Sequence, residues 1–317
     1  RARTSERGPL PMPRNALHDA ETVEEVREAL RAGADANTQD KDGTTALMFA
    51  AEHGGEHGAT MMRLLMQHGG HVAVNKQSDY GQTALMYAAQ DGGEHAAGMM
   101  KVLLSAGADP NKQDEDGDTA MMYVARWGDE HGAERMRMLL TAGEDPNKQN
   151  KRGRTALMQA AQDGGKHGEG MMKVLLDAGA DANKQDKCGT TALLFAARHG
   201  AEHAEGMVRL LVARGATIRP NAELNPPAAV AAYIDGAQHW TPLHRAADAR
   251  DADALRECLA AGARRNEEVE AEHPHMRTAL GIAGSSTYPT ARPVCGECLA
   301  LIGPSQVKGA ASGTIPS

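Results

Sequence analysis

A segment that begins with threonine, alanine and a leucine or methionine recurs along this chain at a nearly constant interval. Successive central copies lie 38, 36, 36 and 36 residues apart and begin at Thr45, Thr83, Thr119, Thr155 and Thr191. Weaker copies begin at Thr241 and Thr278, and the partial unit LHDAETVEEVREALRAGADAN comes before the first copy. A period between about 20 and 50 residues is typical of linear repeat arrays. The chain is therefore predicted to be a stack of similar units.

The second central copy shows what one unit contains. In TALMYAAQ, residues 83–90, the apolar side chains fall on one side of a short helix, and Thr83 is a candidate N-cap. The apolar stripe in residues 99–104 predicts a second helix, which Gly107 ends in the left-handed conformation. Residues 108–117 then form an extended polar turn, called the finger below. Because two short helices cannot bury their stripes alone, neighbouring units must stack to complete a core.

Three segments, TALMYAAQ, MMKVLLSAGADPN and the finger DEDGDT, carry a resemblance to a known family. In these segments the chain resembles the ankyrin repeat family, and the resemblance extends over about residues 14–302. The closest matches are TPLHRAA at residues 241–247 and AGADAN at residues 32–37. The resemblance implies an all-α fold, an ankyrin-repeat solenoid of about seven to eight stacked helix–turn–helix units with finger turns.

The sequence departs from the family pattern in two ways. The central units carry Met or Leu where the family has His, so the family's threonine–histidine hydrogen bond is expected only between Thr241 and His244. The central units are also about three residues longer than the family's usual unit. These additional residues fall between the two helices of a unit.

The composition along the chain predicts five segments. The break after residue 216 carries three prolines followed by a short helix-forming run, and the last residues are rich in Gly, Ser and Ala. The predicted segments are a disordered N-terminal stretch (1–13), an array of about six repeats (14–216), an atypical insertion with a short helix (217–239), two divergent repeats (240–302) and a flexible tail (303–317).

A glutamate beside a histidine recurs between the helices. The copies are GGEH at 54–57, GGEH at 92–95, GDEH at 128–131, GGKH at 164–167 and GAEH at 200–203. Such pairs suit acid–base catalysis or metal binding, but stacked helices lie about 8–10 Å apart, too far for neighbouring histidines to share one metal ion. We interpret the motif as a structural turn whose glutamate begins the outer helix. A role as a pH-sensitive edge is the alternative.

No other pattern predicts a catalytic, cofactor-binding or metal-binding residue, and no cofactor is expected. The four cysteines have no regular spacing: Cys188, Cys258, Cys295 and Cys298. The last two form a CxxC that His273 and His275 could complete as a zinc site, but the inner helix would separate the two pairs by roughly 13 Å. The sequence also has no GxSxG, HExxH, GxGxxG or P-loop motif.

The net charge of −8 argues against a nucleic-acid partner, because phosphate binding requires clustered Lys and Arg. No apolar run approaches the roughly 18–20 residues that span a bilayer, so no membrane association is expected. Free thiols and the absence of a secretory signal predict an intracellular, cytoplasmic protein, and we expect a monomer. The chain begins without Met, which predicts a fragment of a longer protein.

The resemblance implies a non-enzymatic protein–protein interaction scaffold that binds an unidentified partner on a concave face of fingers and inner helices. The alternative is an adaptor or targeting segment of a larger, truncated multidomain protein or enzyme. The candidate partner-binding residues are Asp42, Phe49, His53, Tyr80, Tyr87, Asp91, Asp116, Asp118, Tyr123, Arg126, Trp127, Arg152, Arg154, Gln159, Phe195, Arg198 and His199.

Two features of this set carry hypotheses. In the family pattern Arg126 and Trp127 face the groove, and Trp127 is predicted to be the energetic centre of the partner site; the alternative is that it covers the adjoining helix turn. Acidic residues crowd the finger at 114–118, whereas basic residues crowd the finger at 151–154. Opposed charges in adjacent fingers would steer a partner, unless both fingers are ordinary solvated turns.

Overall fold

The computed structural model describes residues 16–53, 55–91, 93–199 and 203–217. In these ranges the protein is all-helical, as predicted, with one isolated bridge between Gln39 and Thr45. The helices are α1 (Val23–Arg31), α2 (Ala46–His53), α3 (Gly58–Gln67), α4 (Ala84–Gln90), α5 (Ala96–Ser105), α6 (Ala120–Trp127), α7 (Gly132–Thr141), α8 (Ala156–Asp163), α9 (Gly168–Asp177), α10 (Ala192–His199) and α11 (Ala204–Ala213). The chain divides into two compact units, one ending at Ala180 and the other beginning at Asp181.

The helices of the first compact unit form two rows. Helices α2, α4, α6 and α8 contact one another in sequence and form the inner row, while α1, α3, α5, α7 and α9 form the outer row. Each inner helix also packs on the outer helix that follows it. The predicted stacking of helix–turn–helix repeats is therefore confirmed.

Small and flexible side chains fill the space between the rows. Ala88 and Ala89 of α4 are fully buried, as are Met99 and Met100 of α5. The alanines allow the helices to approach closely, and the unbranched methionines fill the irregular gaps that remain. Met86, which stands where the family has His, is buried in the same core. This explains how a chain with 3% aromatic residues builds a dense core.

The predicted helix ends are confirmed. Thr83 Oγ1 accepts a hydrogen bond from the Met86 amide at 3.3 Å and caps α4. Gly107, after α5, has a φ of +88°, a conformation that glycine adopts without the steric cost of a Cβ atom.

Backbone hydrogen bonds join adjacent fingers. The Asp79 amide donates to the Asp42 carbonyl at 3.0 Å, Glu115 donates to Tyr80 at 3.0 Å, and Lys151 donates to Asp116 at 2.8 Å. Asparagine side chains add a second connection between repeats. Asn75, Asn111 and Asn147 donate from Nδ2 to the carbonyls of Gly107, Gly143 and Gly179, at 2.9, 2.8 and 2.9 Å. The fingers are thus held in register with the helices.

The described part of the second compact unit contains one helix pair, α10 and α11, with the same capping and inter-repeat contacts as the first unit. Asn183 Nδ2 donates to the Gly215 carbonyl at 3.0 Å, and Gly189 in the finger has a φ of +77°. The sequence predictions for residues 1–13 and 218–317, including the insertion, the divergent repeats, the CxxC and the Thr241–His244 bond, lie outside the described residues. Among the described residues, no helix has both the length and the apolar character that crossing a bilayer requires.

The described residues of the recurring Glu–His segments lie in the turns between inner and outer helices, as predicted. The prediction that the glutamate begins the outer helix is wrong in detail. Residues 55–57 form a 3-10 turn and α3 begins at Gly58, because the positive φ of Gly55, +45°, turns the chain before the helix starts. The turn at residues 128–131 differs, since Gly128 is extended, with φ −66° and ψ 133°.

Candidate partner-binding surface

Trp127 is the last residue of α6, and its side chain is 55% exposed. The equivalent positions of the neighbouring inner helices hold Asp91 and Asp163, both exposed. Two further apolar side chains of the described residues are similarly exposed, Tyr80 on a finger and Val72 after α3. About half of Trp127 is therefore open to solvent, and both its predicted role as a partner anchor and the alternative, a cover for the adjoining helix turn, stay predictions.

The side chain before Trp127 belongs to a buried polar network. Arg126 Nη2 donates to Asp118 Oδ2 at 2.8 Å, and Asn150 Nδ2 donates to Asp118 Oδ1 at 2.6 Å. Asp118 is only 4% exposed, although the sequence suggests a solvated finger charge. The buried carboxylate of Asp118 therefore fixes the side chain of Arg126 and connects it to Asn150 of the next finger.

Gln159 of α8 extends this network toward the next repeat. With its amide in the orientation that suits its neighbours, Gln159 Oε1 accepts from Arg126 Nη2 at 2.7 Å and Nε2 donates to Asp163 Oδ2 at 3.3 Å. Gln159 is itself buried. Asn150, Asp118, Arg126, Gln159 and Asp163 thus form one continuous chain of polar contacts that leads from buried side chains to the exposed Asp163.

Tyr123, one turn before Trp127, lies in a second network. Gln82 Nε2 donates to the Tyr123 hydroxyl at 2.7 Å, and that hydroxyl donates to Asp114 Oδ2 at 2.8 Å. Burial raises the pKa of Tyr123 well above its usual range, and the carboxylates of Asp114 and Asp118 raise it further. The Tyr123 hydroxyl is accordingly protonated and held in place by Gln82 and Asp114.

Tyr87 and Phe49 occupy the same position in the two preceding inner helices and are half-buried. Burial, followed by the charge of Glu52, raises the pKa of Tyr87. Phe49 stacks on His53, with ring centroids 4.4 Å apart. In the second compact unit Phe195 and His199 make a looser contact of 6.2 Å, with Arg198 between them in sequence.

The exposed finger charges change sign between adjacent repeats. Glu115 and Asp116 are exposed in one finger, and Lys151 and Arg152 are exposed in the next. Arg154 is turned away from this row, since its Nη1 donates to Gln162 Oε1 at 3.0 Å. Asp42 lies on the first finger, 3.9 Å from the ammonium of Lys41. Of the residues for which the sequence predicts opposed finger charges, four are exposed: Glu115, Asp116, Lys151 and Arg152.

Sequence reasoning missed a buried ion pair in the same repeat. Arg135 stands in α7 where α3, α5 and α9 carry Met, and it is fully buried. Its Nη2 donates to Asp129 Oδ1 at 2.8 Å, and Asp129 stands where three other turns carry Gly and one carries Ala. These two departures from the repeat pattern could have predicted the ion pair, because a buried arginine requires an acidic partner.

A second residue that the sequence reasoning missed is Glu144, which stands where the equivalent positions hold Ala108 and Ala180. Its Oε1 accepts from the Met121 amide at 3.1 Å, at the start of α6, where Thr119 does not cap its own helix with its side chain. Burial raises the pKa of this carboxyl to about 8, against smaller opposing effects from Thr119 and Met121. Glu144 thus serves as a buried cap for the helix that carries Trp127.

Within the described ranges, no three or more His, Cys, Asp or Glu side chains cluster as a candidate metal site. The glutamate–histidine pairs are exposed contacts at the turns, with 3.2 Å between Glu56 and His57 and 3.3 Å between Glu94 and His95. Cys188 is an exposed free thiol.

Comparison with known proteins agrees with this architecture. Four overlapping segments, residues 16–114, 93–169, 121–224 and 165–268, match the family model described as "Ankyrin repeats (3 copies)". The crystal structure of EF0377, an ankyrin repeat protein, is similar with a TM-score of 0.53 and 23% identity, over 63% of this chain and 97% of that chain. A likeness at this identity supports the fold alone. No curated protein matches the chain.

Proposed function

Because the chain belongs to the ankyrin repeat family, we propose that it is a non-enzymatic module that binds a protein partner through the inner helices and fingers of its first compact unit. Ankyrin repeats generally mediate protein–protein interaction. The observation that carries the proposal is the exposed indole of Trp127 at the end of α6. Large aromatic side chains are enriched among the residues that contribute most to binding energy.

The surface around Trp127 is held in place before any partner arrives. Arg126 is fixed by Asp118 and Gln159, and Tyr123 is fixed by Gln82 and Asp114. A surface whose side chains are already ordered loses less conformational entropy on binding. These networks therefore support a binding role for Trp127 and assign the buried Asp118, Tyr123 and Gln159 to supporting it rather than to direct contact.

The finger charges complement this anchor. Asp116 and Arg152 lie on fingers that are joined directly by a backbone hydrogen bond, so opposite charges stand side by side. Exposed charges of this kind act mainly on the rate and orientation of association, and less on final affinity. We infer that Trp127 anchors the partner while the fingers orient it.

The test is affinity capture with quantitative mass spectrometry, in which wild-type protein, Trp127→Ala and the control Val72→Ala serve as baits. Val72 is a second exposed apolar side chain, outside the inner row. The expected result is that proteins enriched by the wild type and by the control are lost from Trp127→Ala, while all three baits keep similar melting temperatures. Equal enrichment by Trp127→Ala would contradict the proposal. A lowered melting temperature in that variant alone would show that the indole serves the fold.

A further inference from the structure

The charges around Trp127 define the chemistry of the segment that would cover it. Asp91, which directly follows α4, and Asp163, the last residue of α8, hold the repeat position that Trp127 holds in α6, and α4, α6 and α8 contact one another in sequence. Packed helix axes lie about 8–10 Å apart, so one exposed carboxylate stands on each side of the indole at about that spacing. The indole and the two carboxylates therefore form one short row across three repeats.

Two of the cations near this row, Arg126 and Arg135, are already neutralised by acidic partners. Arg126 is paired with the buried Asp118, and the fully buried Arg135 is paired with Asp129. Asp91 and Asp163, in contrast, make no ion pair among the described residues, although Asp91 lies near enough to Arg135 to act on its pKa and Asp163 accepts hydrogen bonds from two glutamines. The exposed carboxylates of Asp91 and Asp163 therefore present negative charge to a partner that binds at Trp127.

The fingers beside the row carry the same sign. At the tips of the first three fingers, residues 40–43, 78–81 and 114–117, the exposed acidic side chains are Asp42, Asp79, Glu115 and Asp116, and Lys41 offsets one of them. Backbone hydrogen bonds between fingers hold these carboxylates in line. The sign reverses at the fourth finger, where Lys151 and Arg152 are exposed.

We propose that the partner segment that binds over Trp127 is basic and places an arginine or lysine side chain on the indole, between Asp91 and Asp163. This inference rests on the proposed function and specifies its ligand. Trp is the best aromatic partner for a cation–π contact, and the flanking carboxylates would attract the same cation. The exposed indole is an observation independent of the carboxylates, and both select the same ligand chemistry. An acidic segment would be repelled by the surface, and an apolar one would leave its carboxylates desolvated without partners.

The change from acidic to basic side chains between the third and fourth fingers also predicts the orientation in which the partner segment binds. Its basic residues would lie along the first three fingers and the row around Trp127, and an acidic residue would follow at the fourth finger, opposite Lys151 and Arg152. The reverse orientation would place like charges together at both ends.

The experiment uses the full chain with Trp240→Phe, which leaves Trp127 as the one tryptophan of the two in the sequence. Its fluorescence is followed during titration with three synthetic octapeptides, made of Arg and Ser, Glu and Ser, or Gly and Ser. The expected result is a saturable change with the arginine peptide alone, which weakens as salt is added. Asp91→Asn and Asp163→Asn should each weaken binding about fivefold, as expected for loss of one favourable charge pair.

The control is Glu134→Gln, which removes an exposed carboxylate on the outer helix α7. If this control weakens binding as much as Asp91→Asn does, attraction is general and the inference is overturned. It is also overturned if the arginine peptide does not bind at low salt, or if the glutamate peptide binds in its place. In these cases the proposed function survives if Trp127→Ala still abolishes partner capture, so the two failures are distinguishable.

Discussion

The fully buried guanidinium of Arg135 donates from Nη2 to Asp129 Oδ1 across 2.8 Å. Arg135 is the largest fully buried side chain among the described residues, and it stands in a column of methionines. Burial lowers its pKa, while the neighbouring carboxylates of Asp129 and Asp91 oppose that shift. Two of its nitrogens, Nε and Nη1, are buried without a hydrogen-bond partner within the part of the chain described. Burying these two nitrogens without partners is expected to lower the free energy of unfolding.

This arrangement predicts an asymmetric response to substitution. Asp129→Gly should lower the free energy of unfolding by about 2 kcal/mol, because it leaves a buried cation unpaired. Arg135→Met should leave that free energy unchanged or raise it by about 1 kcal/mol, because Met fills the equivalent position in α3, α5 and α9. Urea unfolding followed by circular dichroism measures both values. Equal losses in the two variants would contradict this account of the pair.

Glu144 predicts a stability that falls as pH rises. Its folded pKa of about 8 lies above the value of about 4.3 expected in the unfolded chain, so the folded state holds the proton more tightly. The contribution is complete below about pH 4 and is lost as pH rises toward and through 8, with a slope of at most about 1.4 kcal/mol per pH unit.

Glu144→Gln keeps the acceptor for the Met121 amide and removes the titration. The free energy of unfolding of this variant should therefore depend less on pH than that of the wild type between about pH 5 and 9. Glu130→Gln, an exposed carboxylate in the same repeat, is the matched control and should leave the wild-type slope intact. A slope that survives in Glu144→Gln would assign the pH dependence to other groups.

Two glycines with similar backbone conformations predict different costs for a methyl group. Gly107 and Gly117 have φ of +88° and +78°, so Ala is strained at both. A Cβ at Gly107 meets no atom within 4 Å, whereas one at Gly117 would lie 2.8 Å from the Lys151 amide nitrogen of the next finger. Gly107→Ala should cost about 1 kcal/mol, and Gly117→Ala at least about 1 kcal/mol more. Thermal melts of the two variants compare them directly, and similar losses would show that the fingers adapt.

Asp118 and Asp116 lie two residues apart in one finger and predict opposite outcomes. Asp118→Ala should lower the free energy of unfolding by about 2 kcal/mol, because it removes charge-assisted bonds to Arg126 and Asn150 in a buried site. Asp116→Ala removes an exposed carboxylate and should change it by less than about 0.5 kcal/mol. Chemical denaturation of both variants provides the comparison. If the two losses match, the network around Arg126 does not contribute to stability.

The repeat architecture could be predicted because its signals are local. Thr83 and the Met86 amide are three residues apart, and the left-handed turn at Gly107 depends on the absence of its own side chain. The apolar stripes of α4 and α5 repeat at helical spacing, which is enough to identify the buried face. The start of the outer helix was misplaced because the 3-10 turn at residues 55–57 depends on a glycine conformation that several turn types share.

The sequence by itself therefore determined the period, the helices, their caps and the positions of the fingers, since residues within one turn of each other decide these features. Only the tertiary structure decided which polar residues form the surface and which support it. Asp118 meets Asn150 across 32 residues, and Gln82 meets Tyr123 across 41. Stacking brings such pairs within hydrogen-bond distance, and neither burial nor pairing is encoded at one position. Trp127 is exposed at the end of α6, while hydrogen bonds to Asp118 and Asp114 hold Arg126 and Tyr123 in place.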